Sequence, residues 1–290
     1  MRKYFTDRAE TAASLYTDLA IERRRATTDV SGVYYKSRES DGGIWECIRV
    51  FTEEGAKSIG RPMGRYDTLN TGRLDLLGED EIEAATEEIA KKLCEMVDGV
   101  EAVPDRILVV GLGNAGLTPD STGPKSAAII KPTMHIKEFD KESFRLFDCS
   151  EIAIVTPGVT ANSGIDSTDA VCAICGRIDP SLIIAIDSIA TRSVERLGST
   201  IQISDTGLFP GSGVGNCKAA MNEETLGSPV IAVGVPTVID SRIFAMSEYD
   251  DKKPVGEAML VSPKEIDEIT DVAARIIGGA VNQAFGISPF

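Results

Sequence analysis

The stretch RILVVGLGNAGLTPDSTGP, residues 106–124, joins a buried-looking apolar run to a glycine-rich turn. Gly111, Gly113 and Gly116 spell GxGxxG, the fingerprint of a dinucleotide site, in which a helix starts inside the motif and turns its free N–H groups toward a pyrophosphate. The prolines oppose that reading. Proline within the first helical turns removes a hydrogen bond and clashes with the preceding turn, so Pro119 and Pro124 place the helix start near Ser121 or Thr122, after a longer loop. That loop presents the Asp120 carboxylate at the carboxyl end of a strand, where it opposes a pyrophosphate. The alternative is that Asp120 only caps the helix that follows.

Outward from this point the same rhythm recurs. The runs RILVVG, EIAIVTPG, SLIIAID, STIQIS and PVIAVGVP are separated by helix-sized or loop-sized segments. This is the pattern of an α/β fold with a mainly parallel central sheet covered by helices on both faces. SLIIAID ends on Asp187, and SIATRSVERLG then reads as a helix. Asp187 therefore also stands at the carboxyl edge of the sheet, where open α/β folds place their sites. Two carboxylates meeting in one crevice would raise one pKa, leaving one acid protonated and one ionised, able to activate water and to protonate a leaving amine. Alternatively each is an edge or capping acid.

The rest of the chain bounds these readings. The 290 residues can bury a sizeable core, and the net charge of −15 repels phosphate backbones and anionic membrane surfaces, so no direct nucleic-acid binding is expected. No apolar run approaches a membrane span and no signal peptide opens the chain, which predicts a cytoplasmic protein with six reduced cysteines. Cys172 and Cys175 have CxxC spacing inside a helix-like segment and read as packed thiols. The single histidine, His135, alternates with apolar neighbours and reads as a strand residue, so triads and HExxH chemistry lack their parts. Asp205-Thr206-Gly207 is one DTG triplet where an all-β aspartic protease fold needs two, and the PGSGVGN loop after it, residues 210–216, reads as a crevice loop, an anion nest or a plain turn. The first forty residues, with RRRATTD, read as an exposed arm. GIWECIRVF and GRYDTLN read as strands around a Gly/Pro turn, in a β-rich subregion at 28–78. Ile82, Ile89, Leu93 and Met96 share one face of a helix, and Ser262, Pro263 and Glu265 form a capping box. It opens a final helix with the core stripe Ile266, Ile269, Ala273, Ile276, Ile277, Ala280 and Ala284.

GLGN with TPDSTGP, then TPGVTANSGIDS, IIAIDSIATR, TIQISDTGLFPGSGVGN, PVIAVGVPTVIDS and SPKEID together resemble the germination protease family of spore-forming bacteria, from TDLAIE at Thr17 to the terminal helix. The resemblance implies a fold similar to the hydrogenase maturation peptidases, with a small N-terminal β-containing extension. It implies an endopeptidase, made as a self-processing zymogen and working as a homotetramer in the cytoplasm of the spore core, that degrades small acid-soluble spore proteins on germination. The family's catalytic acids fall on Asp120 and Asp187, the pair already reached by placement. No cofactor and no metal site is implied, although the related maturation peptidases read a metal with carboxylates. Family cut sites resemble an acidic residue followed by an apolar residue and alanine. Asp18-Leu19-Ala20 repeats that pattern, which predicts cleavage between Asp18 and Leu19, a pro-segment at 1–18 and one peptidase domain at 19–290. The rival readings are a metal-dependent maturation-type peptidase, a noncatalytic binding protein on a hydrolase-like fold, and an oxidoreductase on GLGNAG.

Overall fold

The apolar runs assemble into one mixed sheet. The computed structural model describes residues 16–24, 31–97, 104–146, 149–210, 219–245 and 259–286. Among these the strands are β1 Val33–Ser40, β2 Gly43–Val50, β3 Gly64–Asn70, β4 Arg106–Gly111, β5 Glu151–Val155, β6 Leu182–Thr191, β7 Thr200–Ser204, β8 Val230–Asp240 and β9 Leu260–Val261. The helices are α1 Ala20–Arg24, α2 Glu53–Ile59, α3 Glu79–Val97, α4 Thr122–Ile129, α5 Met134–Phe139, α6 Lys141–Leu146, α7 Thr160–Ser163, α8 Ser167–Ile178, α9 Glu223–Leu226 and α10 Ile266–Phe285. Strand order is β1-β2-β3-β7-β8-β6-β4-β5, with β9 against β8.

The centre, β8-β6-β4-β5, is parallel, and β1, β2 and β3 form the N-terminal antiparallel extension within 28–78. The STIQIS strand, β7, departs from the expected pattern: it runs antiparallel to both β3 and β8. Only residues 192–199 separate β6 from β7, too few for the crossover of a dozen or more residues that a parallel return requires.

Strand alternation divides the core between the two faces. Ile107, Val109, Ile184, Ile186, Ile201 and Ile203 pack toward α3 and α10, which contribute Ile82, Ile89, Leu93, Met96, Ile269, Ile276 and Ile277. Leu108, Val110, Ile183 and Ala185 face the opposite way, toward Val171 and Cys175 of α8. Asp187, Gly234 and Gln202 share the parity of this second face, a placement that governs the site.

Several local expectations are corrected. SIATRSVERLG is not a helix: Ser188 to Thr191 continue β6 paired with β8 as far as Ile239, with one register shift between Ile189 and Ala190, and turns follow. The β-branched Ile189 and Thr191, paired on β8, suit a strand better than a helix. His135 lies on α5, not on a strand. Between GIWECIRVF and GRYDTLN the chain forms α2 rather than a simple turn, with the Thr52 hydroxyl accepting from Gly55 N–H. The proposed capping box does not form. α10 starts at Ile266, Glu265 makes no side-chain cap bond, and its carboxylate takes Arg73 Nη2 at 3.1 Å.

The exposed-arm reading also fails over the described part. Thr17, Leu19, Ala20, Ile21 and Glu22 are buried, and β1 already begins at Val33. Leu19 is 0 % exposed and packs with Ile48, Val50, Ile59, Tyr66 and Ile189. Glu22 anchors the segment further. It accepts from Thr191 Oγ1, and Arg192 N–H donates to it at 2.9 Å. Residues 1–15, Arg25 and most of the PGSGVGN loop lie outside the described residues.

Candidate active site

The opening glycine motif is built for close packing. After β4 the chain turns through residues 112–117, makes a 3-10 turn at Thr118–Asp120 and enters α4 at Thr122, where the prolines placed the helix start. Gly113 adopts φ +110°, and a Cβ there would fall 2.0 Å from the Asp120 carbonyl oxygen. Several loop amides are satisfied internally. Asn114 N–H donates to Asp120 Oδ2 and to the Asp120 carbonyl, both at 2.9 Å, Gly116 N–H donates to Asn114 Oδ1 at 3.0 Å, and Asp120 N–H donates to the Leu117 carbonyl at 2.8 Å. Asp120 thus receives a loop amide instead of capping α4, whose N-cap has no side-chain bond. The same bonds take Asn114 and Gly116 N–H from any pyrophosphate that the dinucleotide reading would place here.

Asp187 lies within β6, not at its end, but one residue past the last pairing of β4 with β6, Gly111 against Ile186. It therefore sits where the sheet steps down. It is 6 % exposed and accepts Ser188 N–H at 2.9 Å. Ser188 Oγ donates to Thr122 Oγ1 at 2.9 Å, tying β6 to the first residue of α4, and Thr237 Oγ1 on β8 donates to the Pro119 carbonyl at 2.6 Å. Strand, loop and helix are held around the two acids by these bonds.

Asp120 and Asp187 line one cleft of ≈ 510 Å³, and Asp18, Arg61 and Gln202 line it with them. The predicted cleavage position is therefore brought to the same cleft as the predicted acids. Asp18 N–H donates to the Ala190 carbonyl and Ala190 N–H donates to Asp18 Oδ2, both at 2.9 Å. Arg61 Nη2 donates to the Thr17 carbonyl at 2.7 Å and lies 3.9 Å from Asp18 Oδ1. The cleft wall is apolar at Leu117, Val159, Leu208 and Phe209, suited to peptide side chains.

Other chemistry-bearing residues stand apart. Asp205 of the DTG triplet accepts Arg65 N–H and Nε–H, each at 2.7 Å, which makes it a tie between β3 and the end of β7. Cys175 is buried and Cys172 exposed on α8. Burial, with the Asp67 charge second, pushes the Cys47 thiol up to about 11, which leaves it protonated and unreactive. Among the described residues no three His, Cys, Asp or Glu side chains gather as a metal cage, and no helix is long and apolar enough to cross a membrane.

Reading the sequence missed Arg61, Ser188 and Gln202. Gln202 carried a signal: it is an amide in the middle of the apolar strand Thr200–Ser204. Arg61, in the Gly60-Arg61-Pro62 turn, carried none.

The profile described as germination protease matches residues 9–250. The germination protease of Priestia megaterium is 39 % identical over 240 residues, covering 79 % of this chain and 64 % of that protein, so the chain spans just under two thirds of that relative. The germination protease of Clostridium perfringens is 32 % identical over 312 residues, covering 92 % of this chain and 94 % of that protein. Among solved structures, the NiFe hydrogenase maturation protease HycI from Thermococcus kodakarensis covers 66 % of this chain at 17 % identity and TM-score 0.36, too slight a likeness to carry an argument. The profile match over most of the chain, with relatives that share a third of its residues, shows that the chain belongs to the germination protease family.

Proposed function

We propose that the chain is an endopeptidase that cuts small acid-soluble spore proteins during germination, using Asp120 and Asp187 as an acid–base pair, and that it first shortens itself between Asp18 and Leu19. The observation that carries this reading is the shared cleft: two carboxylates from separate elements line it together with a peptide segment of the chain. One acid, ionised, takes a proton from water, and the other, protonated, supplies one to the departing amine. The roles of zymogen, homotetramer and spore-core enzyme are supported by the family resemblance.

The buried placement of Leu19 changes how self-processing is pictured. The bond is not exposed on a loose arm. Asp18 lines the cleft that holds the acids and Leu19 is packed beside it, so the proposed cleavage would use proximity within the molecule.

The test is incubation of the purified, processed protein with one small acid-soluble spore protein, with mass analysis of the fragments. Fragments that end in an acidic residue and continue with an apolar residue and alanine are expected, together with a chain whose new N-terminus is Leu19. An absence of fragments, or equal fragments from an Asp187→Asn chain, overturns the reading. Cuts after Arg23 or Arg24 would mark a trypsin-like contaminant instead.

The charge of −15 adds a second expectation. DNA should slow cleavage of a DNA-bound spore protein by covering the substrate, and should leave cleavage of a short peptide that does not bind DNA unchanged. DNA inhibition of the short peptide's cleavage would contradict it.

A further inference from the structure

Gln202 holds the peptide bond on which the proposed chemistry would act. It is the central residue of β7, flanked by Ile201 and Ile203, which pack on the opposite face. In register it stands opposite Gly234 of β8, and Gly234 stands opposite Asp187 of β6. Paired residues share a face of the sheet, so Asp187 and Gln202 line the same cleft from strands about 10 Å apart, and the Ile189 side chain lies over Gly234 on the strand between them.

The amide of Gln202 spans the segment across Leu19. Its Oε1 accepts Ala20 N–H at 2.9 Å and its Nε2 donates to the Asp18 carbonyl oxygen at 3.2 Å. Ala20 N–H is a donor only, so it fixes Oε1 on its own side and turns the amino end toward Asp18. The Asp18 carbonyl belongs to the Asp18–Leu19 peptide bond. The Arg61 and Ala190 bonds described above hold Thr17 and Asp18 just before that carbonyl, and the buried Leu19 side chain holds the chain just after it.

We infer that Gln202 is a catalytic residue that donates to the carbonyl oxygen of the bond being cut and stabilises the charge that forms there. This rests on the peptidase reading above. Water oxygen adds to the Asp18 carbonyl carbon, one water proton passes to the ionised aspartate, and the C=O π pair moves onto the oxygen that Nε2–H already faces. Collapse restores the C=O and breaks the C–N bond, and the Leu19 nitrogen takes a proton from the other aspartate. The products are an acid ending at Asp18 and an amine at Leu19, with one proton again on the aspartate pair. A donor placed at such an oxygen before reaction begins needs no reorganisation as charge develops.

The test is the first-order rate of self-processing of the full chain, read as the mass of the product that begins at Leu19. Gln202→Glu keeps an acceptor for Ala20 N–H and replaces the donor nitrogen by oxygen, while Gln202→Leu removes both without adding charge. Both rates should fall about 10²–10³-fold with the circular-dichroism spectrum unchanged. On acidification, protonation returns an O–H donor to the Gln202→Glu chain, so its deficit against wild type should narrow while that of Gln202→Leu should not. A purely structural role would not move that pH dependence. Either variant processing within about threefold of wild type overturns the inference, and so does a loss confined to Gln202→Glu, which would mark a charge effect on the aspartates. A wild-type chain that never yields the Leu19 product overturns the peptidase reading itself.

Discussion

In an Asp187→Asn chain, peptide cleavage is expected to fall by about 10³-fold or more with the fold retained. The amide has the size of the carboxylate, and its Oδ1 can still accept Ser188 N–H, so β6 and its tie to α4 through Ser188 and Thr122 should persist. What is lost is the capacity to take up or release a proton at the pH of the reaction. Asp120→Asn should behave likewise, because its Oδ1 can go on accepting Asn114 N–H and so keep the loop closed. If the two acids share one proton between them, they act as a unit. The double variant should then be scarcely slower than either single variant, as non-additive catalytic groups are. Rate constants for fragment appearance from a spore protein, with melting curves as a control on folding, measure all three chains. Activity within a few-fold of wild type in either single variant removes that residue from the chemistry.

The second large effect is on stability. Gly123, in the first turn of α4, lies against the strand backbone: a Cβ there would fall 2.2 Å from the Leu112 carbonyl oxygen and 2.5 Å from that of Ile186. These are backbone atoms of β6 and of the residue after β4, and they cannot swing aside as a long side chain can. Gly123→Ala must lift α4 from the sheet, at an expected cost of about 3 kcal/mol or more, a drop in melting temperature of roughly 6–12 °C. Because α4 follows directly on Asp120, the same shift should displace that carboxylate. The residual activity of the folded fraction should therefore fall as well. A variant that melts within about 2 °C of wild type would show that the helix has room to move.

The reading from sequence followed the strength of each physical signal. The five apolar runs that became β4 to β8 were legible because buried strands need nearly continuous apolar residues, and the start of α4 was legible because two prolines restrict where a helix can begin. The placement of Asp187 is only half right. It was placed at a strand end, yet β6 runs on to Thr191, and what exposes the cleft there is the earlier stop of β4 at Gly111. A neighbour's length is invisible in one strand's own pattern. The segment at 16–24 was misread because charge density suggested solvent. Arg23 and Arg61 in fact turn to the Thr17 carbonyl, and the apolar Leu19-Ala20-Ile21 between the charges is buried. Three residues are too short a run for periodicity to register. The antiparallel placement of β7 likewise depends on which strands end up adjacent, a long-range outcome that local alternation does not encode.

The anchoring of residues 19–22 would bear on the fate of the chain after the proposed cut at Asp18. Hydrolysis there would leave the product that begins at Leu19 in place, because Leu19, Ala20 and Ile21 are core residues and Glu22 stays latched to Thr191 and Arg192. The shortened chain would begin its working life with its own new N-terminus seated in the groove. Admission of a second polypeptide would then require this short stretch to peel away, a local unfolding equilibrium of the kind that amide hydrogen exchange reports. Turnover on a separate substrate would carry the temperature dependence of that opening, while the first, internal cut would carry only that of bond breaking.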